Sequence, residues 1–568
     1  SVLSGGGGNP GDGSADAWRA HVRSYVDASR RSRLGIPILY GTDAVHGHNN
    51  VIDATIFPHN IAMGATRDAD LVRAVARASA LETAATGARW SFAPCLAVPQ
   101  DPRWGRTYEG FSQDPSLVAT LGAAAVQGWH GDDLPATGVL ACAKHYVGEG
   151  ATVWGSAGGH RHPWIDWWDG WGADWQIDQG DVVIDEDELR RVHLRPFTAA
   201  VRAGALTVMA CYCSWHGRRV HAHRYLLTDV LKGELGFDGF VVSDWMAIDQ
   251  LHPDHATAVA RALAAGVDMV MVPFDHRRFV ATVVELVEQE HLPVERIDDA
   301  VARILRVKAR IGLLDGRVDG RAEVRDEPPV PVEVVGCEEH RTLARTAVSA
   351  STVVLTDDGV LPIPDDATLL AVGEAIDDIG IGCGGWTISW EGAAGAVTTG
   401  RTILDGLRSR PGGVVAYDPH GAVGDVRADV GVVTIHELPY VEGGGDRADL
   451  SVPPDQIDVV ARIRDRVDRL VVVVISGRPL LLGAVLEHAD ALVAGWLPGS
   501  QADGIADVLL GRVSCTGRLP VRWPRTEAQV SGSPTGSDDG DEAPPPLPVG
   551  HGLDLAPAAG PPDRPSPA

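Results

Sequence analysis

Over roughly the first 300 residues, short apolar runs alternate with stretches whose apolar positions recur every three to four residues. Ile36 to Tyr40, Trp90 to Ala93, Gly138 to Ala143, Leu206 to Cys211, Phe240 to Val242 and Val267 to Val272 read as buried strands, with a strand stub at Val2-Leu3. Helical periodicity marks residues 16–33, Asp68 to Thr86 (apolar at Leu71, Val72, Val75 and Leu81) and Pro115 to Trp129. It returns at Asp187 to Val201 (Leu189, Val192, Phe197) and at Phe279 to Glu290. Strand-helix alternation of this kind predicts a parallel sheet with helical crossovers. Residues 1–316 are therefore expected to form a (β/α)8-like barrel, incomplete at its start, since only six strands and a stub are visible.

A second alternating unit follows. Residues 317–345 read as a linker, and a helix begins inside it, at His340 to Ser351. Strands are expected at Thr352 to Thr356, Thr368 to Val372, Val430 to Ile435, Leu470 to Ile475 and Ala489 to Ala494, with helices over 455–467 and 501–510. This predicts a three-layer α/β sandwich domain over 346–530. Residues 531–568 form a tail rich in Gly, Asp and Pro apart from Leu547 to Leu555, and its last dozen residues read as disordered.

Composition narrows the function. The chain has 568 residues and a net charge of −27. That balance excludes nucleic acid and anionic membrane surfaces as partners, which need a basic face. No run of about 18 apolar residues is present, so no transmembrane helix is expected. The chain opens at Ser1 without Met and without a leader pattern, which suggests a start missing from a secreted or cytoplasmic enzyme of bacterial type. Its seven cysteines (Cys95, Cys142, Cys211, Cys213, Cys337, Cys383, Cys515) are scattered, so buried free thiols are expected and no zinc spacing is seen. Gly443-Gly444-Gly445 lacks the Lys-Ser or Lys-Thr of a phosphate loop. Neither a metal nor a cofactor is called for.

The chemistry gathers where strands end. Gly239 to Trp245 runs as an apolar strand into Ser243-Asp244-Trp245. A carboxylate in that position is rigid and poorly solvated, which suits a nucleophile or general base, though an Asp can equally cap the next helix. Asp43, Lys144, His145 and Tyr212 follow other strands. In a barrel such ends converge on one face, so five polar groups there point to a site. Arg106 lies in the stiff loop 101–106. In the second unit, Trp386 and Trp390 share a Gly-rich loop, and Glu437 and Glu442 follow a strand, the latter beside three glycines. Between Trp154 and Trp175 lie six of the sixteen Trp, in a segment with neither helical nor strand periodicity. It reads as a self-packed insertion or as an aromatic loop beside the site.

These stretches resemble glycoside hydrolase family 3, of the two-domain type that includes β-glucosidases and exo-glucanases. The resemblance rests on GTDAVHGHNN (41–50), DPRWGRTYE (101–109), ACAKHYVGEG (141–150), VMACYCSW (208–215), GFVVSDW (239–245), GGWTISW (384–390), ELPYVEGGGD (437–446) and GWLPGSQADGIADVL (495–509), in family order. It implies a barrel followed by an α/β sandwich, with the site between them. It implies that Asp244 is the nucleophile and Glu442, from the second domain, the acid/base. Asp43, Arg106, Lys144, His145 and Tyr212 then hold the terminal glucosyl unit. Trp245 and Trp390 clamp the next sugar, with Trp386 close by. The implied substrate is a β-glucoside or β-glucan oligosaccharide.

The chain departs from the family pattern in places. Gln250 stands where the family has an Arg, and Gln179 aligns roughly with a family carboxylate. Other readings are a β-xylosidase or broad exo-β-glucanase of the same family, a β-N-acetylglucosaminidase, or a sugar-binding relative without activity. The acetylglucosaminidase reading is disfavoured because Lys144-His145-Tyr146-Val147-Gly148-Glu149-Gly150 lacks a His at its sixth position.

Overall fold

The structure, a computed structural model, describes residues 1–157, 174–314, 317–318, 321–322, 330–410, 413–531 and 545–557. Most of the Trp-rich segment, part of the expected linker and the last residues of the tail lie outside them.

The first domain is built on β1 (Val2–Ser4), β2 (Tyr40–Thr42), β3 (Trp90–Ser91), β4 (Cys142–Tyr146), β5 (Thr207–Ala210) and β6 (Phe240–Val242). Each pairs in parallel with the next: β1 with β2 and β2 with β3 by ladders, the chain around β3 with that around β4 by the bridges Trp90–Leu140 and Cys95–Lys144, and β4, β5 and β6 by ladders. A seventh position is added by the bridge Val242–Met269. Leu39, Trp90, Phe92, Cys142, Met209, Phe240, Val242 and Met271, from or beside these strands, pack together in one buried cluster. A larger cluster joins the helices to its outside. This is the (β/α)-barrel architecture expected from the alternation.

The helices begin where their caps stand. Ser14 accepts from Ala17 N at the head of Ala15–Arg30, Asp68 from Asp70 N and Leu71 N before Ala69–Ala85, and Asp114 from Ser116 N before Pro115–His130. Helices His255–Ala265, capped by Asp254, and Val294–Arg310 also form. The periodicity reading passed over both.

Strand boundaries shift. The strand expected over Ile36 to Tyr40 forms at Tyr40–Thr42, because Pro37 cannot donate to a ladder. The strand expected over Gly138 to Ala143 forms at Cys142–Tyr146. There Lys144 N donates to Pro94 O at 3.1 Å and Leu96 N to Lys144 O at 2.6 Å. Lys144 and His145 thus belong to the strand rather than to the loop after it. Val267 to Val272 makes only the Met269 bridge.

The second domain is one six-stranded sheet over β7 (Val353–Asp357), β8 (Leu369–Val372), β9 (Ala416–Asp418), β10 (Ala428–His436), β11 (Val467–Ile475) and β12 (Ala491–Ala494). Its order is β7-β12-β11-β10-β8-β9, parallel except for β7 against β12. β10 and β11 run in register from Ala428–Val467 to His436–Ile475 and are buried almost throughout, as their Val-rich sequences require. From β8 the chain goes to β9 on one side and then to β10 on the other. The carboxyl ends of β8 and β10 therefore flank the point where strand order reverses, where α/β sheets place ligand sites. The loop carrying Glu442 leaves that end of β10.

Candidate active site

One cavity of about 350 Å³ lies between the domains. Asp43, Arg106, Lys144, His145, Tyr212, Asp244, Trp245, Trp386, Trp390 and Glu442 all line it. The sequence reading singled out each of these ten. It gave no role to Leu3, Gly5, Gly6, Phe92, Met209 and Met271, which complete the wall with Gln179.

Asp244 follows the three buried residues of β6. Its amide donates to His221 Nε2 at 3.0 Å, and its Oδ1 accepts from Trp245 N at 2.7 Å. Oδ2 has no hydrogen-bond partner among the described residues and lies 3.5 Å from His145 Nε2. Burial raises the Asp244 carboxyl above its ordinary range, and the Arg106 and Lys144 charges and the Trp245 amide pull it back. His145 is itself kept neutral, first by burial and then by the Arg106 charge.

Arg106 and Lys144 are both buried, and each has a carboxylate. Arg106 Nη2 meets Glu109 Oε2 at 2.8 Å, and Lys144 Nζ meets Asp43 Oδ1 at 3.4 Å. Burial acts to discharge both cations, but Glu109 and Glu442 hold Arg106 charged, and Asp43 and Glu109 do the same for Lys144. Glu109 was not among the residues read from the sequence. It also accepts from Trp386 Nε1 at 3.1 Å, and Lys144 Nζ stands 5.4 Å above the Trp386 ring. Trp386 is thereby fixed as part of the wall. Trp390 is 6.5 Å away, edge-on. Trp245 lies beside Phe274, ring centroids 6.2 Å apart and edge-on.

Glu442 lies in a 3-10 turn, Glu442–Gly445, with φ of 47°. A left-handed conformation in a non-glycine residue costs about 1 kcal/mol and persists only where the surroundings impose it. Here they do. A Cβ on Gly105 would lie 1.9 Å from Glu442 O, and one on Gly443 would lie 2.1 Å from the Trp175 ring. The turn is pressed against the barrel on both faces. Burial, with help from Asp178 and Asp244, raises the Glu442 carboxyl to about 8, and Arg106 opposes the rise. Arg106 Nη1 is 3.6 Å from Glu442 Oε1. With Glu442 protonated, Glu109 remains the charged partner of Arg106.

Tyr212 Oη donates to Trp245 O, so Tyr212 braces the loop after Asp244. Cys211 and Cys213 are not the free thiols expected. They form a disulfide around Tyr212, since a one-residue spacing past a strand end sets their Cα atoms 5.3 Å apart, within disulfide reach. Cys95, Cys142, Cys383 and Cys515 are buried free thiols. Gln179 lines the cavity and accepts from Gln250 Nε2 at 3.2 Å, so the two departures from the family pattern pair with each other.

Among the described residues, Cys95, His145 and Glu149 are the one donor group close enough to hold a metal. They already satisfy one another. Cys95 Sγ lies 3.8 Å, and His145 Nδ1 3.0 Å, from Glu149 Oε1. No helix among the described residues is long and apolar enough to cross a membrane.

The loops of the second domain dock on the first through backbone atoms. Asn49 Nδ2 donates to Trp386 O at 2.6 Å, Ile388 N to Asn49 O at 2.8 Å, and Tyr108 Oη to Tyr440 O at 2.7 Å.

Known proteins share this arrangement. Residues 11–166 and 169–307 match the N-terminal domain of glycosyl hydrolase family 3, and residues 352–555 match its C-terminal domain. The lysosomal beta glucosidase of Dictyostelium discoideum is 32% identical over 87% of this chain, which spans 62% of that protein's length. The exo-1,3/1,4-beta-glucanase of a Pseudoalteromonas species superposes with a TM-score of 0.86 at 37% identity, over 97% of this chain and 69% of that one. A beta-glucosidase from Listeria innocua, solved in complex with glucose, gives 0.80 at 27% identity, over 96% of this chain and 75% of that one. With both family domains matched in order over most of its length, the chain belongs to glycosyl hydrolase family 3.

Proposed function

We propose that the chain is a retaining, exo-acting β-glucosidase that removes terminal β-D-glucosyl units from oligosaccharides or glucosides. The observation that carries this is the pairing of Asp244 and Glu442 on one cavity, from different domains, with the Glu442 carboxyl held up to about 8. A retaining glycosidase needs one ionised and one protonated carboxyl on such a cavity. Glu442 gives its proton to the glycosidic oxygen. The bond from that oxygen to the anomeric carbon breaks as Asp244 attacks the carbon, and the aglycone leaves. The Glu442 carboxylate then takes a proton from water, the water oxygen bonds to the anomeric carbon, and Asp244 is released. Asp43, Arg106, Lys144, His145 and Tyr212 hold hydroxyls of the terminal sugar; the charged ones make contacts worth about 1.5–3 kcal/mol each. Trp245 and Trp390, with Trp386, flank the next sugar. The relatives named for glucosidase and exo-glucanase activity, and the glucose bound by the Listeria protein, support the same substrate class.

Hydrolysis of aryl β-D-glucosides tests this. Asp244→Asn is expected to be inert on every substrate. Glu442→Gln is expected to keep turnover only where the leaving group needs no proton. Turnover by Asp244→Asn, or equal losses on all leaving groups in Glu442→Gln, overturns the assignment.

A further inference from the structure

We propose that Asp446 is a positioning residue that seats the Glu442 turn on the barrel; this rests on Glu442 as the acid/base. Asp446 caps the turn, its amide donating to Gly443 O at 3.0 Å. Its side chain faces away from its own domain. Oδ1 accepts from Gly105 N at 2.9 Å. Oδ2 accepts from Gln176 N at 3.1 Å, Ile177 N at 2.8 Å and Asp178 N at 2.9 Å. All four donors are barrel backbone. Two belong to the surfaces that grip the turn: Gly105, under Glu442 O, and Gln176, next to the Trp175 ring that covers Gly443.

Four amides converging on one carboxylate form a preorganised anion site, and each bond is charge-assisted. The arrangement works in both directions. Residues 176–178 contain no regular element. Three of their amides have their acceptor in the other domain, so the segment that backs the cavity is ordered by the same atom that anchors the acid/base turn. Asp446 does not line the cavity that holds Asp244 and Glu442, and it acts on a substrate only through Glu442. Asn in its place keeps the shape but offers a single acceptor oxygen, and its amide group faces backbone N–H groups that need an acceptor.

The test compares Asp446→Asn, Trp175→Ala and Glu442→Gln on a series of aryl β-D-glucosides of graded leaving-group basicity, with and without azide. Azide needs no general base, so it replaces water on the glycosyl-enzyme when the base is misplaced. Asp446→Asn is expected to lose about 100-fold in kcat/KM on the most basic leaving group. It should lose less than about fivefold on the best leaving group and should form glucosyl azide, as Glu442→Gln does. Trp175→Ala, which loosens the other face of the seat without altering a charge, should show the same pattern more weakly. A uniform loss across the series in a folded Asp446→Asn, or no loss, overturns the proposal while Glu442→Gln keeps its leaving-group dependence. If Asp446→Asn fails to fold, the sign of the Trp175→Ala slope decides. If Glu442→Gln itself shows no dependence, the acid/base reading is what fails.

Discussion

Asp244 and Glu442 face the same cavity from opposite kinds of scaffold. Asp244 stands at the end of a short strand whose neighbours on the site are other strand ends. Sheet register fixes where it points, and every residue that sets the register is local or is paired by backbone. Glu442 stands six residues past the end of β10, in a turn with φ of 47°. No register reaches it. Its place is set by contacts with the other domain: Gly105, Trp175, and the four amides on Asp446. A group held by register fails only when the sheet fails. A group held by docking can be displaced while both domains stay folded.

The largest effect that tests this contrast is expected at Arg478. Its side chain is fully buried at the domain boundary. It meets Glu437 Oε1 at 3.1 Å and donates to Gly445 O at 2.7 Å and, across the boundary, to Arg103 O at 3.1 Å. Arg478→Met leaves the buried Glu437 with only the partly exposed Arg447, 3.3 Å from its Oε1, and should cost about 3 kcal/mol, read as a lower urea midpoint. If stability holds and only activity falls, Arg478 serves the site and not the boundary. Next comes Gly105→Ala. Its new methyl meets backbone, Glu442 O at 1.9 Å and Gly445 Cα at 2.7 Å, so the turn must lift. We expect kcat/KM on a poor leaving group to fall about 100-fold, with stability little changed. An alanine enzyme with full activity would show that the turn carries its own geometry.

The third prediction is a pH profile. As the proposed acid, Glu442 has to be protonated to act, and its carboxyl is raised to about 8, so kcat/KM should fall as pH rises through that value. As the proposed nucleophile, Asp244 has to be ionised, and burial raises its carboxyl, so kcat/KM should fall on the acid side above the ordinary aspartate range. Asp178 acts on the same limb as Glu442. Trp104 Nε1 donates to its Oδ1 at 2.8 Å, and its own carboxyl is raised to about 7 by burial. Above that pH it is charged, and it repels a charge on Glu442. Asp178→Asn removes the repulsion, so the Glu442 carboxyl drops and the alkaline limb should move to lower pH by about one unit. A limb that stays in place, or moves up, rejects the interaction.

The same contrast explains what could be read from the chain. Asp244, Lys144, His145 and Tyr212 stand in or beside short apolar runs, and the strand-helix rhythm alone brings such positions to one face. The rhythm placed the runs imperfectly. Backbone pairing with residues 93–96 carried β4 across Lys144 and His145, and Pro37 delayed β2, because pairing is a property of two segments and periodicity of one. Glu442 could be flagged as an acid beside glycines, but nothing local tells that those glycines exist to lie against Trp175 and Tyr440. Glu109, Asp178 and Asp446 went unread for the same reason. Each is an ordinary acid in its own stretch and becomes a site component only through Arg106, Trp104 and Gly105. The Cys211–Cys213 disulfide was hidden by treating seven cysteines as a scatter when two of them flank one tyrosine.

The smallest effect is expected at the outer edge of the cavity, and it asks whether docking also sets specificity. Trp390 is carried by the second domain, and Trp245 follows the barrel carboxylate. Trp386 N donates to Trp390 O at 2.9 Å, and a Cβ on Gly6 would meet Trp390 Cδ1 at 2.9 Å, so the N-terminal glycines support this indole from below. A sugar between the two indoles, as proposed, would be gripped by one wall from each domain. An aromatic face is worth about 0.5–1.5 kcal/mol beyond its buried area. Trp390→Ala should therefore raise KM for a disaccharide several-fold, up to about tenfold, and, with glucose proposed to fill only the part of the cavity beside Asp43 and Asp244, leave inhibition by free glucose unchanged. Trp245→Ala should weaken both, because the Trp245 ring reaches the Asp43 end of the cavity: a Cβ on Gly5 would lie 3.8 Å from Asp43 Oδ2 and 3.9 Å from Trp245 Cζ3. If Trp390→Ala weakens glucose as much as disaccharide, the docked loop shapes the inner site too, and the division between a register-built half and a docked half does not hold at the sugar.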